Sequence, residues 1–192
     1  MNEVEQAIKI LNEGGIIIFP TDTAFGIGCR IDNENAVKRL FSIRKRPESQ
    51  ATPVLFDDLE TIKKYVIDVP LDVKERLIDK YWPGALTIIL PCKTDNVPSL
   101  VRGNGSNLGI RIPDNEKLRL IIKGIGVGVL GPSANFYKAK TPYNFEDLDP
   151  ELVSLVDLVV TGECKLKQTS TVIDCSIKPW QIRREGAVKL NL

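Results

Sequence analysis

The sequence predicts an α/β fold whose sheet contains both parallel and antiparallel strands. Apolar runs of strand length alternate with amphipathic segments of helical period along its 192 residues. The strands expected at 171–174 and 180–183 are separated by too few residues for a helical crossover, so we expect antiparallel pairing there. The composition, 43% hydrophobic and 27% charged, is typical of one globular domain of this length.

The N-terminal segment predicts a helix over residues 2–13. Its apolar side chains recur at the spacing of one helix face: Val4, Ala7, Ile8 and Leu11. Asn2 is suited to cap this helix with Glu5 as its capping-box partner, and Gly14 is suited to end it. The fully apolar run 15–19 that follows predicts a buried strand.

The rest of the chain repeats these two patterns. Further helices are expected at 33–43, 58–65, 70–80, just after Asp114 and at 149–156. Further strands are expected at 53–56, 86–90, 108–112, 127–130, 157–160, 171–174 and 180–190. We expect Asp114 to cap the helix that follows it. We found no repeat and no low-complexity linker, so residues 1–192 are expected to form one domain.

The composition excludes several kinds of chemistry. Histidine is absent, which removes Ser-His-Asp and Cys-His mechanisms and histidine-based metal sites. The net charge of +1 argues against a uniformly basic nucleic-acid coat protein, although a local basic patch is compatible with it. The four cysteines form no Cys-x-x-Cys pair, and without a base partner Cys29 and Cys175 are expected to be small buried hydrophobic residues.

No signal segment precedes the first helix, and no apolar run approaches ~18 residues. We therefore expect a cytoplasmic protein with reduced thiols and no membrane contact.

Polar residues border three of the predicted strands. Thr21-Asp22-Thr23 follows the first strand, Ser133 and Asn135 follow the strand at 127–130, and Ser170 precedes the strand at 171–174. In isolation each group also fits an Asx or Ser/Thr turn. Their convergence favours a shared small-ligand pocket at one edge of the sheet.

Arginine side chains are the second group of candidate functional residues. Arg44, Lys45 and Arg46 end a predicted helix, where cations interact favourably with the helix dipole, but the planar guanidinium also suits phosphate. Arg111 lies inside a predicted strand. It is either an outward-facing residue of an edge strand or a buried residue that binds a substrate carboxylate.

Residues 19–28, Phe-Pro-Thr-Asp-Thr-Ala-Phe-Gly-Ile-Gly, resemble the Pro-Thr-Asp-Thr-x-Tyr-Gly-Leu-Gly signature of the YrdC-like family, the threonylcarbamoyl-AMP synthases. Six further blocks follow in family order, at 43–47, 82–87, 110–113, 132–135, 170–174 and 184–186. The resemblance implies a twisted mixed sheet flanked by helices, with a deep basic cavity. It also implies a nucleotidyltransferase that makes threonylcarbamoyl-AMP and pyrophosphate from ATP, L-threonine and bicarbonate.

The resemblance implies roles for thirteen residues. Those expected to bind L-threonine are Thr21, Thr23, Arg111, Gly131 and Ser170. Those expected to bind ATP are Arg44, Arg46, Gln50, Asn107, Ser133, Asn135, Thr141 and Arg184. The chain departs from the family pattern at several positions. Arg44 replaces the usual Lys, Phe25 the usual Tyr, and Gln50 a residue that is often Lys or Asn; the segments 136–138 and 183–186 also differ.

The chemistry that the resemblance implies suits these residue types. The carbamate of threonine is already an anion, so its attack on the α-phosphate needs positioning and positive charge rather than a His or Cys base. Mg²⁺ is expected to arrive with ATP and to have no protein side-chain ligands. Our hypothesis is that Arg111 binds the carboxylate of threonine, while Thr23 and Ser170 hold its amine and hydroxyl.

The resemblance also names downstream partners. A separate transferase complex is expected to move the threonylcarbamoyl group to adenosine 37 of tRNAs that read codons starting with A. The alternative interpretation is a protein of the same fold that binds tRNA or double-stranded RNA and has no synthase activity. Its RNA affinity would fall steeply with salt.

Overall fold

The computed structural model describes residues 1–191. Its α-helices are α1 Glu3–Asn12, α2 Glu34–Ile43, α3 Leu59–Ile62, α4 Leu71–Val73, α5 Asp79–Tyr81, α6 Glu116–Ile125 and α7 Pro150–Ser154. A π-helical turn, Lys74–Ile78, joins α4 to α5, and Phe145–Asp147 is a 3₁₀ turn. The strands are β1 Ile17–Pro20, β2 Phe25–Gly28, β3 Val54–Leu55, β4 Leu86–Pro91, β5 Asn107–Arg111, β6 Val129–Leu130, β7 Leu158–Val159, β8 Thr171–Asp174 and β9 Gln181–Arg184.

The strands form two mixed sheets, so the predicted α/β fold with parallel and antiparallel pairing is confirmed. One sheet has the order β2-β1-β7 and the other β6-β3-β5-β4-β8-β9. Three pairs are parallel, namely β1/β7, β3/β5 and β4/β8, and the others are antiparallel. The bridges Gly26–Ser133 and Arg30–Val129 join β2 of the small sheet to the region of β6 in the large one. A single sheet had been expected.

The capping prediction for α1 is confirmed. The backbone N–H of Glu5 donates to Asn2 Oδ1 at 2.9 Å, and the N–H of Asn2 donates to the Glu5 carboxylate at 3.0 Å. The predicted cap of α6 is wrong by one residue, because Asn115 rather than Asp114 accepts from the N–H of Leu118, at 3.0 Å. An N-cap residue directly precedes the first residue of its helix, and α6 begins at Glu116, so the N-cap position is Asn115.

The C-terminal strand is shorter than the predicted 180–190 and ends at Arg184. The chain then turns back over β8, since the N–H groups of Gly186 and Val188 donate to Thr171 Oγ1 at 3.0 and 3.1 Å. This turn fixes Arg184 beside the start of β8.

Helices α1 and α6 pack together over β1. The buried side chains between them include Ala7, Leu11, Ile17, Leu118 and Ile121. A larger cluster fills the space around β2, β4, β5 and α2. Within residues 1–191, no helix is both long enough and apolar enough to cross a lipid bilayer.

Candidate functional site

Strand directions bring the predicted site residues to one edge of the large sheet. Strands β3 and β5 are parallel, so Leu55 and Arg111 lie at the same end. Strands β4 and β8 run parallel to each other, and β4 is antiparallel to β5, so they begin where β5 ends. Thr87 and Ser170 therefore lie beside Arg111. The pairing of β9 with β8 adds Arg184 to the same edge.

These elements enclose a cleft of about 730 Å³, which we call the first cleft. Ten of the thirteen predicted residues line it: Thr21, Thr23, Arg44, Arg46, Arg111, Gly131, Ser133, Thr141, Ser170 and Arg184. Within the described part of the chain, four arginine side chains line this cleft and no carboxylate does. Arg46, Arg111 and Arg184 therefore line one cleft, as the basic cavity implied by the resemblance requires.

The other three predicted residues lie outside the first cleft. Asn107 lines an adjoining cleft. Asn135 is buried and organises the loop behind the site, because its amide donates to the carbonyls of Phe136 and Ala139, both at 2.8 Å. The side chain of Gln50 is exposed and lines neither cleft, and only its backbone carbonyl reaches the site, where it accepts from Arg46 Nε at 3.0 Å.

Arg111 is buried, which contradicts the reading as an outward-facing edge residue. Strand β5 lies between β3 and β4, and Arg111 is 5% exposed. Its Nε donates to the carbonyl of Gly84 at 2.8 Å, one terminal nitrogen donates to Thr23 Oγ1 at 2.9 Å, and the other pairs with Asp22. A guanidinium has five N–H donors, so two remain for a ligand carboxylate.

Asp22 belongs to the polar group expected at the pocket, but it is not among the thirteen residues with an implied binding role. It is 3% exposed, and the carboxylate oxygen that pairs with Arg111 also accepts from the backbone N–H of Asp114 at 3.2 Å. Burial lowers the pKa of Arg111, and the charge of Asp22 opposes that shift. Asp22 therefore compensates and orients this arginine. The feature of the sequence that could have identified Asp22 as a site residue is its position between two threonines at the end of a strand.

The two threonines that flank Asp22 have different roles. The hydroxyl of Thr21 donates to the carbonyl of Ala24 at 2.7 Å and accepts the N–H groups of Thr23 and Ala24 at 3.0 and 3.1 Å. The Ser/Thr-turn interpretation is therefore correct for Thr21, because its hydroxyl is occupied by hydrogen bonds to the backbone of the turn. Thr23 Oγ1 accepts from Arg111 and donates its own proton to Thr21 Oγ1 at 2.9 Å, since the Thr21 proton is already donated to Ala24. One lone pair of Thr23 Oγ1 remains to accept from a ligand in the cleft.

Ser170 forms the opposite wall with two partners. Its Oγ lies 2.9 Å from Thr87 Oγ1 and accepts from a terminal nitrogen of Arg184 at 2.9 Å. Arg184 Nε also donates to the carbonyl of Ser170 at 2.9 Å, so this guanidinium is held against the start of β8. Thr87 was not predicted, although it is the single polar residue of the apolar run 86–90.

Arg44 is a buried cation without a counter-ion. It is 3% exposed, its Nε donates to the carbonyl of Asn135 at 3.0 Å, and one terminal nitrogen is buried without a partner. Burial, with a smaller effect of nearby Arg46, lowers the pKa of Arg44 to about 10, so the group is still charged at neutral pH. Within residues 1–191 neither arginine forms an ion pair. The site therefore holds positive charge that a bound anion would neutralise.

Gly131 shows how closely the backbone approaches the site. A Cβ at this position would lie 2.3 Å from Leu55 Cγ, so a larger residue would displace a wall of the first cleft. The N–H of Gly131 donates to the carbonyl of Pro53 at 2.9 Å and joins the segment after β6 to the segment before β3.

All four cysteines are buried and free. Burial raises the pKa of Cys29 and Cys175 to about 12 and that of Cys164 to about 11. The prediction that Cys29 and Cys175 are buried agrees with this.

The buried thiols lead to a first testable prediction. A thiol-disulfide reagent such as Ellman's reagent should find no fast-reacting thiol in the native protein at pH 8 and four after denaturation, because the thiolate is the reactive form. One rapid equivalent in the native protein would contradict the burial.

Within residues 1–191, no group of three or more Asp, Glu, Cys or His side chains is placed to hold a metal ion. The side chains that line the first cleft supply guanidinium groups that can bind anions and hydroxyl groups that can form hydrogen bonds.

A family model described as "Telomere recombination" and labelled Sua5/YciO/YrdC matches residues 9–186. This chain belongs to the Sua5/YciO/YrdC family. A Bacillus subtilis relative named threonylcarbamoyl-AMP synthase is 32% identical over 190 residues, which cover 97% of this chain and 54% of the relative.

Two solved structures of the family resemble the fold. Pyrococcus abyssi Sua5 complexed with L-threonine has a TM-score of 0.90 and 28% identity, covering 95% of this chain and 54% of that one. Escherichia coli YciO has a TM-score of 0.84 and 27% identity, covering 95% of this chain and 88% of that one. The chain spans about half the length of the B. subtilis and P. abyssi proteins.

Proposed function

We propose that this chain is a threonylcarbamoyl-AMP synthase. It would be a nucleotidyltransferase that forms L-threonylcarbamoyladenylate and pyrophosphate from ATP, L-threonine and bicarbonate. The observation that carries the proposal is the composition of the first cleft. Arg111 has two unused N–H donors there, and the other three arginines of the cleft form no ion pair with a carboxylate of residues 1–191. A relative with this activity in its name and a threonine complex of another support it.

The amino acid occupies the Arg111 side of the first cleft. The two remaining donors of Arg111 bind the α-carboxylate, and the remaining lone pair of Thr23 Oγ1 accepts from the amine or hydroxyl of the same ligand. Ser170 faces this position from the opposite wall. Gly131 lines the same cleft, and any larger residue there would push the Leu55 side chain out of its place in the wall.

The nucleotide occupies the side lined by Arg44, Arg46 and Arg184. The threonine amine combines with bicarbonate and releases water to give a carbamate. A carbamate oxygen then attacks the α-phosphorus, while the bond from that phosphorus to the pyrophosphate oxygen breaks. The guanidinium groups stabilise the charge that develops on the leaving group, so no histidine base is required.

Several expectations accompany this proposal. Mg²⁺ would be bound by the ATP phosphates and would supply further positive charge there. The product would pass to a tRNA-modifying threonylcarbamoyl transferase complex in the cytoplasm. Direct contact with tRNA or double-stranded RNA stays a prediction.

Pyrophosphate release is the direct test of the proposal. The protein should release pyrophosphate only when ATP, L-threonine and bicarbonate are all present, and omission of any one should reduce the rate to background. Mass spectrometry should identify threonylcarbamoyl-AMP in the complete mixture. A protein that binds duplex RNA but releases no pyrophosphate under these conditions would support the non-enzymatic alternative instead.

A further inference from the structure

A second cleft of about 1020 Å³ adjoins the first. Arg46, Pro53, Thr87 and Arg184 line both clefts, so the two hollows meet along these four residues. A nucleotide whose α-phosphate lies in the first cleft can therefore extend its other phosphates into the second.

The second cleft carries a third arginine, Arg102, which belongs to none of the motifs. Its guanidinium donates to the backbone carbonyls of Val97 and Gly105, and it forms no ion pair within residues 1–191. The one carboxylate that lines this cleft, Asp174, is already paired with Arg183 at 2.8 Å. Among the residues that the structure describes, no carboxylate forms an ion pair with any of the three guanidinium groups in this cleft.

Thr52 is an independent sign that this cleft receives a polar ligand. It lines the second cleft and is 2% exposed, and its hydroxyl has no hydrogen-bond partner. A buried hydroxyl without a partner costs free energy, and a ligand oxygen at this place would satisfy it.

The loop that carries Arg102 is fixed against the segment that holds Arg46. The N–H of Thr52 donates to the carbonyl of Val101 at 2.9 Å. Gly103 has a φ of +58°, and a Cβ there would lie 2.6 Å from the backbone nitrogen of Ala51. Arg46 binds the carbonyl of Ala51 from the other side. The spacing between Arg46 and Arg102 is therefore set by backbone packing.

We propose that the second cleft binds the β- and γ-phosphates of the nucleotide and that Arg102 is a binding residue for them. This inference rests on the proposed function. Arg102 then supplies positive charge that position 50 does not, since Gln50 stands where the family often has Lys or Asn, is exposed and lines neither cleft. The pyrophosphate that the reaction releases is held by Arg46, Arg102 and Arg184 before it leaves.

Calorimetric binding of inorganic pyrophosphate, ATP, AMP and L-threonine to the full chain tests the proposal. Arg102→Ala should weaken pyrophosphate and ATP by about tenfold or more, because a charged hydrogen bond to phosphate is lost. AMP and threonine should bind as they do to the wild type, since neither has a β-phosphate. Arg102→Lys should restore part of the lost affinity. Arg119→Ala is the matched control, because Arg119 lines neither cleft.

The outcomes separate this proposal from the proposed function. Wild-type affinity of Arg102→Ala for pyrophosphate would overturn the assignment of Arg102, and so would an equal loss for all four ligands, which would indicate a distorted loop. A wild-type protein that binds pyrophosphate through Arg102 but forms no threonylcarbamoyl-AMP would overturn the synthase proposal and leave the phosphate site standing.

Discussion

Replacement of Arg111 by glutamine is expected to raise the KM for L-threonine by at least about 30-fold, with little change in the KM for ATP. Loss of a buried, hydrogen-bonded charge pair with a ligand costs about 2–5 kcal/mol, which corresponds to this range. Threonine-dependent pyrophosphate release over a range of threonine and ATP concentrations measures both constants. Near-normal kinetics for threonine would show that Arg111 does not bind the carboxylate.

The same replacement leaves Asp22 as a buried charge without its partner. Breaking one side of a buried ion pair costs about 3–5 kcal/mol of stability, so Arg111→Gln should unfold at clearly lower urea concentration. The double variant Asp22→Asn/Arg111→Gln removes both charges and should recover much of that stability while threonine binding stays weak. This pair of variants distinguishes a binding defect from a folding defect.

Replacement of Arg44 by methionine is expected to stabilise the fold and to weaken ATP binding. The guanidinium is buried with one hydrogen bond and no counter-ion, and its lowered pKa reflects that cost. An apolar side chain of similar length should add about 1–3 kcal/mol to the free energy of unfolding. The lost phosphate contact should weaken ATP by about tenfold to 100-fold.

Urea denaturation and calorimetry with ATP measure the two effects of Arg44→Met. Lys38→Met is the control, because it removes the same charge from an exposed position on α2, the helix that ends just before Arg44. Its stability and ATP affinity should stay near those of the wild type. A less stable Arg44→Met variant with normal ATP affinity would mean that Arg44 is structural.

Much of the local structure was predictable because it depends on neighbours along the chain. The capping box of α1 needs only Asn2 and Glu5 three residues apart. The bounds of β8 were correct, since the apolar run that defines them lies within 171–174. The end of β9 was not predictable from local pattern, because it depends on bonds from residues 186 and 188 to Thr171.

The candidate site was predictable in its residue types and unpredictable in its pairing. The family motifs identified Arg111 but did not decide whether it is an exposed residue of an edge strand or a buried binding residue. That choice depends on whether β5 has a neighbouring strand on both sides, which only the strand order shows. Its partner Asp22 lies 89 positions away, and no spacing rule connects them. The positions of Gln50 and Asn107 were unpredictable for the same reason. The turn at 47–50 leaves the Gln50 side chain outside both clefts, and the packing of β5 places Asn107 in the second cleft.

The order of amino acids was sufficient to establish the mixed α/β pattern, the absence of imidazole chemistry and the family to which the motifs point. These properties follow from composition, from short-range periodicity and from motifs that stand in order along the chain. The separation into two sheets, the compensation of Arg111 by Asp22 and the isolation of Arg44 arise from contacts between distant segments. Burial and charge balance depend on those contacts, so they become defined once the chain has folded.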